Sequence, residues 1–367
     1  MLKAGIVGLP NVGKSTLFNA LLRAHKAPAE NYPFCTIEPN LGVVTVPDSR
    51  LDALAQVVRV GTRIPTTIEF VDIAGLVQGA SRGEGLGNKF LSHIREVDAL
   101  VHVVRCFEDP DIVHVTGGVD PVRDIGIVTT ELVLADLEAI HRRREKIAKE
   151  LKGGAKHAVA ESHVLDKLEA HLNTGKPANT AHLFKEEHDL IAACPLLTDK
   201  PTLFAANIKE AQLGNLANDP HVAKVRDYAR THHACDTVVV CAQLESDLAD
   251  LSPEEARQYL AELGVRETGG EALIRATYQL LNLRTFFTFN DKEVRAWTVP
   301  AGTGAARAAG RIHTDFERGF IKAERVNWKA LVDAGSVAHA RETGHYSHEG
   351  KDYVVQDGDV LLFRFNV

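Results

Sequence analysis

The sequence lacks the cysteine pairs that mark a disulfide framework or a zinc site. Its 367 residues include five cysteines, at positions 35, 106, 194, 235 and 241, and none forms a C-x-x-C pair. This scatter favours free thiols in a reducing compartment. No apolar run is long enough to span a bilayer, and the first strand-like segment begins at Lys3, which leaves no space for a signal peptide. We therefore expect a cytoplasmic protein without membrane contact.

An excess of basic charge is also lacking. Forty-two Lys and Arg residues face 49 Asp and Glu residues, which gives a net charge of −7. That balance argues against binding nucleic acid through bulk charge, and we expect no DNA partner, although a local basic surface remains open. The length allows two or three domains, and 45% hydrophobic with 25% charged residues is typical of a globular protein.

Apolar segments of strand length alternate with helical stretches along much of the chain. Residues 14–25 form a predicted helix, and the predicted strands are residues 3–7, 68–71, 99–104, 202–206 and 237–240. Such alternation predicts an α/β fold with a mostly parallel sheet covered by helices.

Residues 129–200 interrupt this alternation with two amphipathic helical patterns. Val133, Ile140 and Ile147 follow a helical period, and "KGGAK" at 152–156 separates them from a second pattern through Leu165 and Leu172. We predict an inserted helical hairpin, with the charge run at 141–146 as its solvated face.

The C-terminal part changes character from about Arg284. Short alternating segments punctuated by Gly and Asp predict a small strand-rich domain, and Ser252 followed by Pro253 predicts a helix start just before it. We therefore divide the chain into a nucleotide-binding domain at 1–128 and 201–281, the hairpin at 129–200, and a C-terminal domain at 282–367.

A phosphate-binding loop is the strongest motif. "GLPNVGKS" at 8–15 matches G-x-x-x-x-G-K-[ST] between a predicted strand and a predicted helix. Its backbone N–H groups and the helix N-terminus should face the phosphates, with Lys14 between the β- and γ-phosphates. The Ser15 hydroxyl should bind Mg²⁺. The expected nucleotide contacts are Asn11, Val12, Gly13, Lys14, Ser15 and Thr16.

Two further motifs follow the P-loop region, and they are those expected of a nucleotide-dependent switch protein. Asp72 and Gly75 form D-x-x-G after a strand, so Asp72 should hold Mg²⁺ through water and the Gly75 N–H should sense the γ-phosphate. Thr36 is the candidate switch threonine on Mg²⁺. The Gly-rich stretch at 79–87 is a candidate second switch, with an ordinary surface loop as the alternative.

The base-reading segment departs from N-K-x-D, because the chain reads "NIKE" at 207–210. Ile208 can pack on a ring without charge, and Glu210 is one methylene too long to meet guanine. Asn207 can pair with adenine N6 and N7, so we predict an ATP preference. Cys241 and Ala242 stand where a second base loop is expected.

Together these segments resemble the YchF family of Obg-related P-loop NTPases, over essentially the whole chain. The resemblance rests on "GLPNVGKST", "YPFCTIEPN", "DIAGLVQGAS", the helical insertion and "NIKE". It implies an ATPase with an Obg-type, Ras-like G domain, an inserted coiled-coil hairpin and a C-terminal β-grasp-like TGS domain. It also implies association with the ribosome, through the large subunit or the whole 70S-type particle, and with rRNA.

The residue that positions the attacking water is not given by a motif. Leu76 stands where many GTPases have Gln, and His114 is our candidate, chiefly because its segment resembles the family. Alternatively, Asn11 helps to hold a monovalent cation, K⁺, that supplies positive charge. Cys35, beside Thr36, is a candidate redox brake, with a packed thiol as the alternative.

The leading hypothesis is a cytoplasmic ATP hydrolase that uses its nucleotide state to engage the ribosome, in translation or stress regulation. Two alternatives stay open. One is a genuine GTPase of the Obg type, and the other is a slow or non-hydrolysing adenine-nucleotide sensor or scaffold. Six basic residues could contact rRNA or, since acidic residues are interspersed, form a solubilising surface: Arg295, Arg307, Arg311, Arg318, Lys322 and Arg325.

Overall fold

A computed structural model describes residues 2–26, 40–75, 86–233, 235–265 and 267–366. It contains two compact units. The first takes in residues up to Ala24 and Glu69–Thr277, and the second takes in Val43–Ile68 and Tyr278–Val367. Among the described residues, no helix is both long and apolar enough to cross a membrane.

The described residues form twelve strands. These are β1 (Lys3–Val7), β2 (Leu41–Thr45), β3 (Thr62–Ile64), β4 (Thr67–Asp72), β5 (Ala99–Arg105), β6 (Thr202–Asn207), β7 (Thr237–Val240), β8 (Leu283–Phe289), β9 (Glu293–Pro300), β10 (Phe320–Asn327), β11 (Ser347–Glu349) and β12 (Asp359–Phe365). All five strands predicted for the parallel sheet are present, within two residues of their expected bounds.

They also form fourteen α-helices. These are α1 (Lys14–His25), α2 (Arg50–Val58), α3 (Leu86–Arg95), α4 (Pro121–Lys152), α5 (Lys156–Leu172), α6 (Lys185–Leu190), α7 (Pro220–His233), α8 (Ala242–Leu248), α9 (Pro253–Glu262), α10 (Gly269–Leu280), α11 (Ala305–Gly310), α12 (Thr314–Arg318), α13 (Trp328–Ala334) and α14 (Val337–Glu342). The predicted cap of α9 is confirmed, because the Ser252 hydroxyl accepts from Glu255 N and Glu255 Oε2 accepts from Ser252 N.

The first sheet has the order β2-β4-β1-β5-β6-β7. Its pairs β1–β4, β1–β5, β5–β6 and β6–β7 are parallel, which confirms the predicted α/β sheet. Strands β4 and β5 lie on opposite sides of β1, so the direction in which strands are added to the sheet reverses there. The switch point of the sheet therefore lies beside β1. Loops at the carboxyl ends of strands there are the usual place for a ligand in such sheets.

The inserted hairpin consists of α4 and α5. Helix α4 begins at Pro121, earlier than the predicted residue 129, because the Asp120 side chain caps it by accepting from Arg123 N. The helix ends at the Gly153-Gly154 pair, where Gly154 has a φ of 69°. The predicted apolar seam is present, with these buried members: Val133, Ile140, Ile147, Leu165, Leu168 and Leu172. Leu151, by contrast, is 39% exposed.

The charge run on α4 is only partly a solvated face. Arg143 Nε donates to Glu161 at 2.6 Å, and the Glu161 carboxylate is almost fully buried. Arg144 Nη2 donates to Asp166 at 2.6 Å and to Glu169 at 2.7 Å. The prediction was therefore wrong for these two arginines, which join α4 to α5.

The second unit contains a mixed sheet of order β11-β10-β12-β8-β9-β3. Strands β8 and β9 pair antiparallel, as do β10 and β12, whereas β12 lies parallel to β8. A first and a last strand that lie side by side in parallel are typical of a β-grasp arrangement. Strand β3 extends this sheet by pairing with β9, although 231 residues separate Thr62 from its partner Glu293.

Candidate functional site

The loop between β1 and α1 has the conformation that its glycines predict. Gly13 has a φ of 95°, and a Cβ at this position would collide with the Asn207 amide. Only glycine fits such a backbone at such a close approach. The loop therefore depends on glycine both for its curvature and for its contact with the segment after β6.

Lys14 is buried beneath this loop. Its side chain is 7% exposed, and Nζ donates to Leu9 O at 2.7 Å. Burial lowers the pKa of Lys14 to about 8, and the negative charge of Asp72 partly opposes that shift. The ammonium group has three donors, and the bond to Leu9 O uses one of them.

Asp72 and Gly75 lie against the same loop. Among the described residues, Asp72 Oδ1 is buried without a hydrogen-bond partner. A Cβ at Gly75 would lie 3.1 Å from Lys14 Nζ and 3.3 Å from Pro10 N. An unpaired buried carboxylate oxygen is costly unless a ligand or ion pairs with it. Together with the exposed Ser15 at the start of α1, it fits a Mg²⁺ site.

A cleft of about 550 Å³ extends from this loop to the segment after β6. That volume is within the range of ordinary small-ligand pockets. Three groups of residues line it: from the P-loop and α1, Asn11, Gly13 and Thr16; from the segment after β5, Phe107, Asp109 and Ile112; and from the base loops, residues 207–211 with Ala242 and Gln243.

Asn207 joins two loops of this cleft. Its Nδ2 donates to Val12 O at 2.8 Å, and its Oδ1 accepts from Ala242 N at 3.0 Å. The side chain is only 3% exposed. Each polar atom of Asn207 thus has one protein partner, and each can form a second hydrogen bond, so the predicted pairing with adenine N6 and N7 stays a prediction. Asn207 also fixes the P-loop relative to the loop before α8.

The other two base residues also have protein neighbours. Ile208 borders the cleft and is 2% exposed, because it packs into the core cluster beneath. Glu210 Oε1 accepts from the Tyr259 hydroxyl of α9 at 3.0 Å. Cys241 is buried just before α8, and burial raises the pKa of its thiol. Only Ala242 of that predicted pair borders the cleft.

His114 is oriented by partners outside the P-loop. Asp124 Oδ2 accepts from its Nε2 at 2.9 Å, and the Thr116 hydroxyl bonds to its Nδ1 at 2.9 Å. The neighbouring Val113 carbonyl accepts from Asn11 Nδ2 at 3.1 Å. The segment is thus attached to the P-loop, but the imidazole bonds to Asp124, and its predicted role in hydrolysis stays a prediction.

Sequence reasoning missed most of the wall formed after β5. Phe107, Asp109 and Ile112 line the cleft, and Lys209 Nζ lies 3.1 Å from Asp109 Oδ2. The Lys209 ammonium lowers the pKa of Asp109 through a side-chain hydrogen bond. Their position in the sequence could have indicated this wall, because these residues follow the strand next to β1, at the carboxyl edge of the sheet where ligands usually bind.

Several predicted site residues lie outside the described residues. They are Thr36, Cys35, Leu76 and the Gly-rich stretch up to residue 85.

Comparison with known proteins gives matches across the chain. A family profile described as 50S ribosome-binding GTPase matches residues 3–131, and the profile named YchF-GTPase_C, described as a protein of unknown function, matches residues 283–366. A Bacillus subtilis protein named ribosome-binding ATPase YchF is 51% identical over 366 residues, covering 100% of both chains. The chain belongs to the YchF family. A Haemophilus influenzae protein of the same name is 53% identical over 365 residues, covering 100% of this chain and 99% of its own.

Solved structures agree with this family. The Schizosaccharomyces pombe YchF GTPase matches with a TM-score of 0.87 and 36% identity, covering 99% of this chain and 97% of its own. A GTP-binding protein from Pyrococcus horikoshii has a TM-score of 0.62 at 20% identity, with 100% of both chains covered, and supports the fold alone. The predicted P-loop NTPase fold and the predicted family are confirmed. The names of these relatives include both ATPase and GTPase, so the names do not decide which base is bound.

Proposed function

We propose that this YchF family member binds ATP in preference to GTP, hydrolyses it to ADP and phosphate, and associates with the ribosome according to its nucleotide state. The observation that carries the proposal is the cleft that joins a complete phosphate-binding loop to an altered base loop. The names of its relatives, ribosome-binding ATPases, support the same reading.

The phosphate end of the cleft consists of Lys14, the loop backbone and Gly75. Lys14 binds the β- and γ-phosphates, and the backbone N–H groups of the loop donate hydrogen bonds to the phosphate oxygens. Gly75, where an added Cβ would contact Lys14 and Pro10, would sense the γ-phosphate with its own N–H.

Mg²⁺ is the cofactor that this end of the cleft fits best. The Ser15 hydroxyl and, through water, the unpaired Asp72 carboxylate would hold it, with Thr36 as the third expected contact. When bound, Mg²⁺ neutralises charge on the phosphate oxygens. A K⁺ ion at Asn11 stays the alternative, and its ligand would be the Asn11 amide oxygen, because Nδ2 donates to Val113 O.

The preference for adenine follows from what the base loop lacks. Guanine offers two N–H donors that a short carboxylate accepts in N-K-x-D proteins, and here the longer Glu210 bonds to Tyr259. Adenine has no donors at those two positions, so its binding does not depend on a carboxylate acceptor there. The GTPase alternative is favoured by the name of the Schizosaccharomyces pombe relative.

Ribosome association would use the hairpin and the C-terminal unit, which we continue to assign as a TGS-like domain. Of the six basic residues proposed to contact rRNA, Arg295 pairs with Glu293, and Arg325 pairs with Asp359. We therefore centre the rRNA proposal on the exposed Arg307 and Arg318. A cytoplasmic location accompanies this proposal.

The test is equilibrium binding of fluorescent ATP and GTP analogues to the full chain with Mg²⁺, each competed by the other, followed by phosphate release with and without ribosomes. We expect tighter ATP binding and release that ribosomes accelerate. Tighter GTP binding would establish the Obg-type GTPase instead. ATP binding without phosphate release, even with ribosomes, would establish the sensor.

A further inference from the structure

The last residue of β5, Arg105, is a buried cation beside the nucleotide cleft. Its side chain is 2% exposed, which is unusual for arginine and costly unless every donor is paired. Its Nε donates to Phe107 O at 3.0 Å, Nη1 donates to Ile112 O at 3.0 Å, and Nη2 donates to Asp109 O at 3.3 Å. The guanidinium thus donates hydrogen bonds to three backbone carbonyls of the segment that follows Arg105.

Those three acceptors belong to the three residues by which this segment lines the cleft, Phe107, Asp109 and Ile112. The guanidinium carbon of Arg105 also lies 4.7 Å from the centre of the Phe107 ring, a cation–π distance. The side chain therefore fixes both the backbone of the wall and the ring that the wall presents.

The same segment contacts both other walls of the cleft. Asp109 pairs with Lys209 of the base loop at 3.1 Å, and the Lys209 ammonium lies 6.0 Å from the Phe107 ring centre. At the far end of the segment, Val113 O accepts from Asn11 of the P-loop. A shift of the segment would move the base side of the cleft while leaving Lys14 in its own hydrogen bond to Leu9 O.

We propose that Arg105 is a positioning residue of the nucleotide site, which holds residues 107–112 as the wall for the base. This rests on the proposed function. Lysine cannot replace it, because one ammonium group does not present donors as a planar fork that reaches three separated carbonyls. Affinity for a nucleotide with a base should depend on Arg105, whereas affinity for bare phosphates should depend on the P-loop.

The experiment compares two ligands, ATP and inorganic triphosphate, on the full-length variants Arg105→Lys and Arg105→Gln with Mg²⁺. We expect the Kd for ATP to rise about tenfold and the Kd for triphosphate to stay within about twofold. Arg50→Lys is the matched control. Arg50 also lies over an aromatic ring, 5.1 Å from the centre of Phe287, and bonds to two carboxylates, but it belongs to the second unit and does not line the cleft.

Unchanged ATP affinity in both variants would overturn the proposal. So would an equal loss for ATP and triphosphate, because that pattern indicates general damage rather than a displaced base wall. If Arg105→Lys fails to fold, Arg105→Gln still gives the answer, since it leaves no buried charge. Failure of the proposed function is distinguishable, because it would appear in the unaltered protein as absent ATP binding or turnover.

Discussion

The two ends of the nucleotide cleft differ in whether their polar side chains already bond to other parts of the protein. At the phosphate end, the described structure leaves Asp72 Oδ1 unpaired, and Ser15 and Thr16 are exposed. At the base end, the polar side chains of Asn207, Lys209 and Glu210 each bond to another part of the protein. The phosphate end offers Asp72, Ser15 and Thr16 to a ligand, whereas the base end uses its polar side chains to fix loop shape. Affinity should therefore be sensitive to side-chain chemistry at one end and to loop position at the other.

The largest expected effect comes from the buried ammonium at the phosphate end. Lys14→Met should weaken ATP binding by about a hundredfold or more, because the β- and γ-phosphates lose their buried cation. Titration with a fluorescent ATP analogue measures this. Lys3→Met, which removes a lysine from β1 that pairs only distantly with Glu69 at 3.8 Å, should leave the Kd unchanged. Retention of near-normal affinity by Lys14→Met would contradict the contrast between the ends.

His114 tests whether hydrolysis belongs to the phosphate end. His114→Ala should lower kcat about a hundredfold, as loss of a positioned water-orienting group does, with the Kd for ATP within about twofold. Thr116→Val removes the hydroxyl partner of Nδ1 but keeps the imidazole, so its turnover should be close to normal. Equal rates for His114→Ala and the unaltered protein in a single-turnover phosphate assay would remove His114 from the mechanism.

The contrast between the ends also explains what the sequence could predict. The P-loop, the parallel strands and the Ser252 cap depend on neighbours within a few residues, so local patterns predict them. The wall at 107–112 is held by Arg105, which lies only two to seven residues away but fits no periodic pattern, and by contacts with Lys209 and Asn11, which are distant in sequence. The protein partners of Asn207 were hidden for the same reason, and its motif position suggested a ligand instead.

The protonation state of Lys14 should make ATP affinity at the phosphate end depend on pH. Its pKa is about 8 in the ligand-free protein, and phosphate binding favours the charged form. Affinity should therefore be constant below pH 7 and weaken above pH 8, with a Kd about tenfold higher at pH 9 than at pH 7. Lys14→Met should lose this dependence. A flat profile for the unaltered protein from pH 7 to 9 would mean that another group governs phosphate affinity.

Asn207 tests the base end directly. Asn207→Ala removes the bonds to Val12 O and Ala242 N, so both loops lose their link. We expect about a tenfold loss of affinity for ATP and GTP alike, together with a lower Tm. Asn218→Ala, which removes an exposed amide that donates to Asn215 Oδ1, should change neither. If ATP binding alone weakened, Asn207 would read adenine after all, and the base end would also use ligand-directed chemistry.

The smallest effect should come from Glu210, because its bond to Tyr259 lies at an exposed position where one hydrogen bond contributes little. Glu210→Asp shortens the side chain by one methylene and breaks that bond, so the carboxylate can approach the donors of guanine. We expect the ratio of GTP to ATP affinity to rise about threefold, as a site that gains one imperfect contact would show. Tyr259→Phe removes the hydroxyl but keeps the longer Glu210, and its ratio should change by less than about twofold. A larger change in Tyr259→Phe than in Glu210→Asp would mean that the position of Glu210, rather than its length, excludes guanine.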